Sequence, residues 1–368
     1  MTQQKKNILH ITYDMRIGGT EMVIKNIIEG CDNAFSMSIF CIEEPLGPWG
    51  QDLQKTGIKV STFARADGFD TSLISALRKH IKKYNINIVH CHQYTPWVYG
   101  TLAVFGLSTK VIFTEHGRFY PDSSGWKRRI VNPLLAMMTH KLTTISNATR
   151  QALVNYEFLK TDKIDVIYNG IKGLEFDENA ALDIRNKLKI QASDIVFGTI
   201  ARLDPIKNHN MMLRAFADVT KKNPRTKLII VGDGELMPTL KSLIQALDIE
   251  DRVMLTGYIP YPKDYLGIFD IFLLSSLSEG TSMTLLEAMS LAKPCIVTDA
   301  GGNKEIVTHG ETGLVTDNDN MLQFSDAMLA LANDKDTTQK YGKNARVVFE
   351  QKFDASHMAK EYANIYAS

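Results

Sequence analysis

The chain has 368 residues, 44% of them hydrophobic, with 42 Lys and Arg against 41 Asp and Glu, for a formal charge of +1. That length makes two α/β domains the first expectation, and the apolar share fills two cores. The near-neutral balance argues against a dedicated nucleic-acid binder. Four scattered cysteines, Cys31, Cys41, Cys91 and Cys295, show no C-x-x-C or zinc-ligand spacing and read as buried reduced thiols.

The first residues run straight into a strand-like segment without the apolar core of a signal peptide, and no apolar run has transmembrane length. The expectation is a soluble, cytoplasmic protein. Strands are predicted at residues 7–14, 36–42, 59–64, 88–92, 111–115, 142–145 and 165–168. Amphipathic stretches such as 21–29 and 72–84 lie between them, the latter repeating Leu73, Leu77, Ile81 and Tyr84 at helical spacing. Residues 172–193 are polar and read as a linker with a short helix. Alternation restarts with strands at 195–200, 227–231, 253–255, 271–274, 295–298 and 313–315. The predicted fold class is α/β: two Rossmann-like, doubly wound sheets whose ligands bind beyond the carboxyl ends of the strands, in a cleft where the domains face each other. The expected domains are 1–175 on the acceptor side and 190–350 on the donor side, with a C-terminal helix at about 352–368 packing back on the first.

The most informative segment is Glu279-Gly-Thr-Ser-Met-Thr-Leu-Leu-Glu287, which follows the buried strand 271–274 and opens a helix at 284–291. Gly280, Thr281 and Ser282 suit a helix N-terminus, whose free N–H groups attract phosphate. Glu287 lies about two turns on, placed to accept from sugar or ribose hydroxyls. From spacing alone the segment reads equally as a capped surface helix with two solvated glutamates. Upstream, Arg202 and Lys207 flank a proline turn after strand 195–200; they read either as a diphosphate clamp or as ordinary loop cations. Gly18-Gly19, after the first strand, permit close backbone approach or merely a tight turn. His116 closes the fifth strand. His90 and His92 share one strand face without an evident third metal ligand, and so read as a cleft-facing strand end open to acceptor contact. Asp317-Asn318-Asp319 imitates a metal site but reads as a solvated turn away from the other motifs.

Glu279 and Glu287 match the E-x7-E signature of the retaining, GT4-like (group 1) glycosyltransferases of GT-B architecture. The resemblance continues through Leu286-Glu287-Ala288-Met289, Lys293-Pro294 and Gly301-Gly302-Asn303-Lys304-Glu305-Ile306-Val307, and covers nearly the whole chain. It implies that Glu287 binds the donor ribose, that Glu279 lies near the donor sugar and diphosphate, and that Arg202 and Lys207 hold the diphosphate. It also implies that Gly18-Gly19 faces donor phosphates and acceptor, and that His116 approaches the donor sugar. Two departures stand out: Lys172 replaces the acidic residue of the family's Asn-Gly-(Ile/Val)-Asp, and Ala292 replaces a frequent glycine, read as a packing difference.

The implied function is transfer of a hexose from a nucleotide sugar, UDP-linked, to a glycan or lipid-linked acceptor in surface polysaccharide biosynthesis. Retention would follow front-face attack assisted by the leaving phosphate. Catalytic candidates are His116, Glu279, Arg202 and Lys207; donor-binding candidates add Gly18, Gly19, Gly280, Thr281, Ser282 and Glu287; acceptor-side candidates are His90, His92 and Arg118. No cofactor and no metal are expected, since Arg202, Lys207 and the helix start supply the positive charge that a Mg²⁺ would otherwise provide. Alternatives are a sugar-nucleotide epimerase of the same fold and a non-catalytic sugar-nucleotide-binding protein. The basic, aromatic start of the apolar stretch 126–138 reads equally as a peripheral contact with the inner face of a membrane and as a core-packed helix with a basic end.

Overall fold

The computed structural model describes residues 5–31, 35–117 and 124–368. The chain divides into two units, Met1–Lys172 with Asp354–Ser368, and Gly173–Phe353. The polar stretch after residue 172 thus belongs to the second unit, where Asp177 caps the helix Glu178–Lys187. The last helix, Ala355–Ala367, capped by Asp354, belongs to the first unit.

The first unit holds a seven-stranded sheet of β1 (Lys6–Thr12), β2 (Phe35–Cys41), β3 (Lys59–Thr62), β4 (Ile88–His92), β5 (Lys110–Glu115), β6 (Lys141–Thr144) and β7 (Ile164–Val166), in the order β3-β2-β1-β4-β5-β6-β7. Every pairing is parallel. Side-chain alternation sends Leu9, Ile11, Val89, Cys91 and Phe113 to one face, where they pack with Leu73, Leu77 and Trp97. The opposite face carries a polar seam. His90 there bonds Tyr366, and Thr114 bonds Thr143 and Tyr362, both tyrosines coming from the helix Ala355–Ala367.

In the second unit β8 (Ile195–Ile200), β9 (Thr226–Val231), β10 (Val253–Leu255), β11 (Ile271–Leu274), β12 (Cys295–Thr298) and β13 (Gly313–Thr316) form a parallel sheet in the order β10-β9-β8-β11-β12-β13. Phe197, Leu228, Leu273 and Ile296 meet Leu213 and Phe216 of the helix His209–Lys222, and Phe324 and Met328 of the helix Met321–Asn333. Strands buried on both faces explain the near-continuous apolar runs that made them legible. All four cysteines are buried and unpaired.

Strand order reverses between β1 and β4 in the first sheet and between β8 and β11 in the second. At such a point the connections leave the sheet to opposite sides and open a crevice beyond the strand ends. The candidate residues fall at these two places.

Candidate functional site

In the second unit the crevice is built by two loops tied to each other. After β8, Asp204 caps the single turn Pro205–Lys207, its Oδ1 accepting from the Lys207 amide at 3.2 Å. Asn208 follows in the left-handed region. The loop after β11 holds this turn in place: the Ser275 hydroxyl donates to the Lys207 carbonyl at 2.8 Å, and the Leu277 amide to Ile206 at 2.7 Å. The result is an ion pair of 2.6 Å between Lys207 Nζ and Glu279 Oε1, with the Ser276 hydroxyl donating to the same oxygen at 2.5 Å. Only 20% of the Lys207 side chain and 9% of that of Glu279 are exposed.

Backbone packing fixes Glu279 as well. Gly301 adopts φ +56°, and a Cβ there would lie 1.8 Å from the Glu279 carbonyl oxygen, so only glycine fits. This is the local reason for the Gly301-Gly302 motif; the Gly302 amide donates to that same carbonyl at 3.3 Å. On the other side Gly232, at φ +148°, presses on the Ala201 carbonyl, where a Cβ would come within 1.9 Å. Gly232, Ser275 and Ser276 were missed in the sequence, although glycine directly after β9 was the available signal.

Arg202 behaves differently from Lys207. Its side chain is 81% exposed and paired with Asp204 at 3.0 Å. The eight-residue helix Met283–Ser290 begins one residue earlier than expected, with the Ser282 hydroxyl accepting from Leu285 as its cap at 3.4 Å. Gly280 and Thr281 precede the cap. Glu287 lies on this helix, half-buried, and desolvation pushes its carboxyl up from 4.5 to about 7.

Asp317 and Asp319 need a correction. Asp319 accepts from Asn208 at 2.8 Å and Asn318 donates to the Leu277 carbonyl at 2.9 Å, so the turn buttresses the Lys207 loop and is not remote from it. Asp317 accepts from Gln323 at 2.8 Å.

In the first unit a cavity of about 500 Å³ opens beyond β1 and β4. Five carboxylates line it (Asp14, Glu21, Glu43, Glu115 and Glu157), against Arg16 and Arg128. Arg16 is bound to Asp14, and Arg128 to Glu157 at 2.6 Å. Gly18 precedes the helix Gly19–Gly30 in extended backbone, so no left-handed turn requires it there. A Cβ at Gly18 would sit 2.5 Å from a carboxylate oxygen of Glu21. Burial raises the Glu21 pKa above the ordinary carboxylate value.

His90 and His92 do not open onto this cavity. Both are fully buried; His90 bonds Tyr366 and Thr114 at 2.7 Å each, and His92 bonds His116 at 2.9 Å and His10 at 3.0 Å. The expected acceptor contact is therefore corrected: parallel register sets β4 in the middle of the sheet and drives these rings under the helix Ala355–Ala367. His10, missed in the sequence, stands opposite His90 in that register. His10, His90 and His92 offer nitrogens within 4.8 Å of one another, the one potential metal-binding group among the described residues. The atoms a metal would need at His90 and His92 already make hydrogen bonds. Arg118 lies outside the described residues.

Two Rossmann-like units, each with its residues at a switch point, define a GT-B architecture. The profile of "Glycosyl transferases group 1" matches residues 181–348, and that of "Glycosyltransferase Family 4" residues 17–172. A UDP-Gal:alpha-D-GlcNAc-diphosphoundecaprenol alpha-1,3-galactosyltransferase of Escherichia coli is 28% identical over 91% of this chain and 90% of its own. An N-acetyl-alpha-D-glucosaminyl L-malate synthase of Bacillus anthracis is 27% identical over 81% and 79%. In fold, the chain resembles Anabaena HepE in complex with UDP, with a TM-score of 0.88 at 21% identity, covering 98% of this chain and 99% of that one. The chain belongs to the GT4-like group 1 glycosyltransferases. Among the described residues no helix is long and apolar enough to cross a membrane.

Proposed function

We propose that this glycosyltransferase moves a hexose from a UDP-sugar to a glycan or lipid-linked acceptor, with retention and without a catalytic metal, in surface polysaccharide synthesis. The observation that carries the reading is the Lys207–Glu279 pair, fixed by glycine packing at the switch point of the second unit. Lys207 presents a positioned ammonium to the departing diphosphate. Arg202 swings in as a planar fork, and the amides around Gly280, Thr281 and Ser282 add donors, so positive charge stands where negative charge develops. Glu287, as carboxylate, accepts from the ribose hydroxyls. Gly18 and Gly19 border the donor phosphates, and His116 contacts the sugar. The carboxylates of the first unit's cavity take up acceptor hydroxyls.

The donor class is supported by a solved HepE complex with UDP-glucose, and the acceptor class by the diphosphoundecaprenol substrate in the name of the Escherichia coli relative. Metal independence is supported by the engagement of Asp319 with Asn208 and of Asp317 with Gln323 in protein hydrogen bonds. The test is turnover of UDP-glucose and UDP-galactose with a synthetic prenyl-diphosphate sugar, in excess EDTA, with the anomeric configuration of the product read by NMR. An altered sugar nucleotide formed without acceptor would point to epimerisation. Loss of turnover in EDTA with rescue by Mn²⁺ would remove the metal-free mechanism.

Membrane contact belongs to the same proposal. The helix Arg128–Met137 leaves Ile130, Leu134 and Met137 exposed, Met137 by 84%, beside an exposed Trp126. Such a patch, flanked by Lys127 and Arg129, fits an anionic bilayer surface. Arg128 is left out of the test because it holds Glu157. Lys127/Arg129→Ala should weaken binding to anionic liposomes about 30-fold, from about 1 kcal/mol per charge removed, read by co-sedimentation; equal sedimentation of both proteins counts against the contact.

A further inference from the structure

His10 on β1, His92 on β4 and His116 just after β5 form a single file of imidazoles. His10 Nδ1 is 3.0 Å from His92 Nε2, and His92 Nδ1 is 2.9 Å from His116 Nε2. The file ends on two buried nitrogens without a hydrogen-bond partner, His10 Nε2 and His116 Nδ1. His90 is not a branch, since its nitrogens bond Tyr366 and Thr114.

Proton counting limits what this file can do. Desolvation holds the rings neutral, lowering His10 and His116 to about 3 and His92 well below its ordinary value. Three neutral imidazoles carry three N–H protons, and each of the two bridges takes one. If His92 carries its proton on Nδ1, the other two must do the same, and the remaining N–H stands on His116. If His92 carries it on Nε2, all three follow, and the remaining N–H stands on His10. Every mixed arrangement puts two protons, or none, into a bridge.

The two ends are not equivalent. His10 is fully buried, so an N–H on its Nε2 would be an orphan donor that nothing can satisfy, and buried orphan donors are rarer than under-satisfied acceptors. His116 Nδ1 is buried as well. Its residue, however, is half-buried at the carboxyl edge of the sheet, between Glu115 and Gly117, which both line the cavity. Of the two orphan nitrogens, the one at this edge is the one a substrate entering the cavity would meet.

We propose that His10 and His92 are positioning residues that hold His116 in its Nδ1–H tautomer, so that His116 offers substrate a hydrogen-bond donor and not a base. The group it meets is a sugar hydroxyl or phosphate oxygen. The inference rests on the reading of His116 as a substrate contact of the glycosyltransferase, and it places the proton acceptor of the reaction elsewhere.

Imidazole ¹⁵N shifts of the unligated wild-type enzyme, labelled in histidine and assigned with His116→Gln, test it without relying on a core variant. All three rings should show a protonated Nδ1 and a bare Nε2; a protonated Nε2 on His116 overturns the inference alone. His92→Phe, which keeps an aromatic ring of somewhat larger size and removes both bridges, should lower kcat about tenfold with donor KM within twofold, the effect of one lost hydrogen bond. His92→Gln, with an amide that both donates and accepts, should recover most of that loss; equal losses in the two variants oppose the inference. Full activity of His116→Phe would overturn the substrate contact itself, and this inference with it.

Discussion

The two switch-point crevices share a topology and differ in chemistry. In the second unit an ammonium and a carboxylate lie 2.6 Å apart on loops fixed by glycine. In the first, a carboxylate-lined cavity stands beside a file of neutral imidazoles. On the proposed reading, strand order decides where a ligand binds and the loop residues decide which ligand: a fixed cation for a diphosphate, carboxylate acceptors for hydroxyls.

The largest effect expected on this contrast is at Lys207. A charged hydrogen bond is worth about 1.5–3 kcal/mol, so Lys207→Ala should lower kcat/KM about 10- to 150-fold. Arg202→Ala should cost less, because this exposed side chain is held by Asp204 and must reorganise to reach a ligand. Steady-state kinetics with varied donor rank the two; an Arg202 loss larger than that of Lys207 breaks the view that the fixed pair organises the donor site.

Glu287 sharpens the contrast through pH. Its folded carboxyl is raised from 4.5 to about 7, so its protonated form favours the fold, and that stabilisation is lost as pH rises from about 4.5 through 7. Glu287→Gln should therefore stabilise the free enzyme by up to about 3 kcal/mol at pH 8 and by little at pH 4.5. Donor binding should run the other way: a carboxylate accepting ribose hydroxyls binds better above pH 7, and the Gln variant loses that dependence. Thermal melts at the two pH values and UDP titrations from pH 6 to 8 read both signs. A wild-type UDP affinity flat across that range would separate Glu287 from the ribose.

On the first unit's side, Glu43→Gln should raise the acceptor KM about threefold while leaving the donor KM unchanged, the worth of a modest hydrogen bond in a polar cavity. A matching rise in donor KM would mean the cavity serves the donor instead.

How much of this was legible in the sequence follows physical lines. Strands buried on both faces announce themselves as apolar runs, so β8 and β11 were placed correctly, and with them the loops bearing Lys207 and Glu279. Their pairing across 72 positions, and the part of Ser276 in it, were not legible, because loop-to-loop contacts leave no periodic trace. The histidines show the limit most sharply. Alternation put His90 and His92 on one face, but the choice between crevice and interior depended on β4 being central and on which helix covers it. His10, 82 residues from His92, entered only through strand register.

The smallest effect concerns Ala292, where the expected packing difference proves to be a backbone matter. The helix Met283–Ser290 ends with the Ala292 amide donating to Met289 at 3.0 Å and the Lys293 amide to Ala288 at 3.0 Å, the paired bonds of a Schellman motif. That motif needs the left-handed region, and Ala292 has φ +55°. An L-residue there costs about 1–2 kcal/mol, while glycine gives back about 0.4–1 kcal/mol through its freer unfolded chain. Ala292→Gly should therefore stabilise the second unit by about 1 kcal/mol or somewhat less. The first unit supplies the control, since Phe158 ends the helix Asn147–Glu157 at φ +58°, with its half-buried ring beside the Arg129 guanidinium, 5.7 Å from the ring centroid. Phe158→Gly relieves the same backbone strain but gives up ring burial worth a similar amount, so its net gain should vanish. Chemical denaturation of both variants makes the comparison: a destabilised Ala292→Gly protein would mean that backbone strain does not set the stability of this helix end, and equal gains in the two would mean that the Phe158 ring contributes nothing.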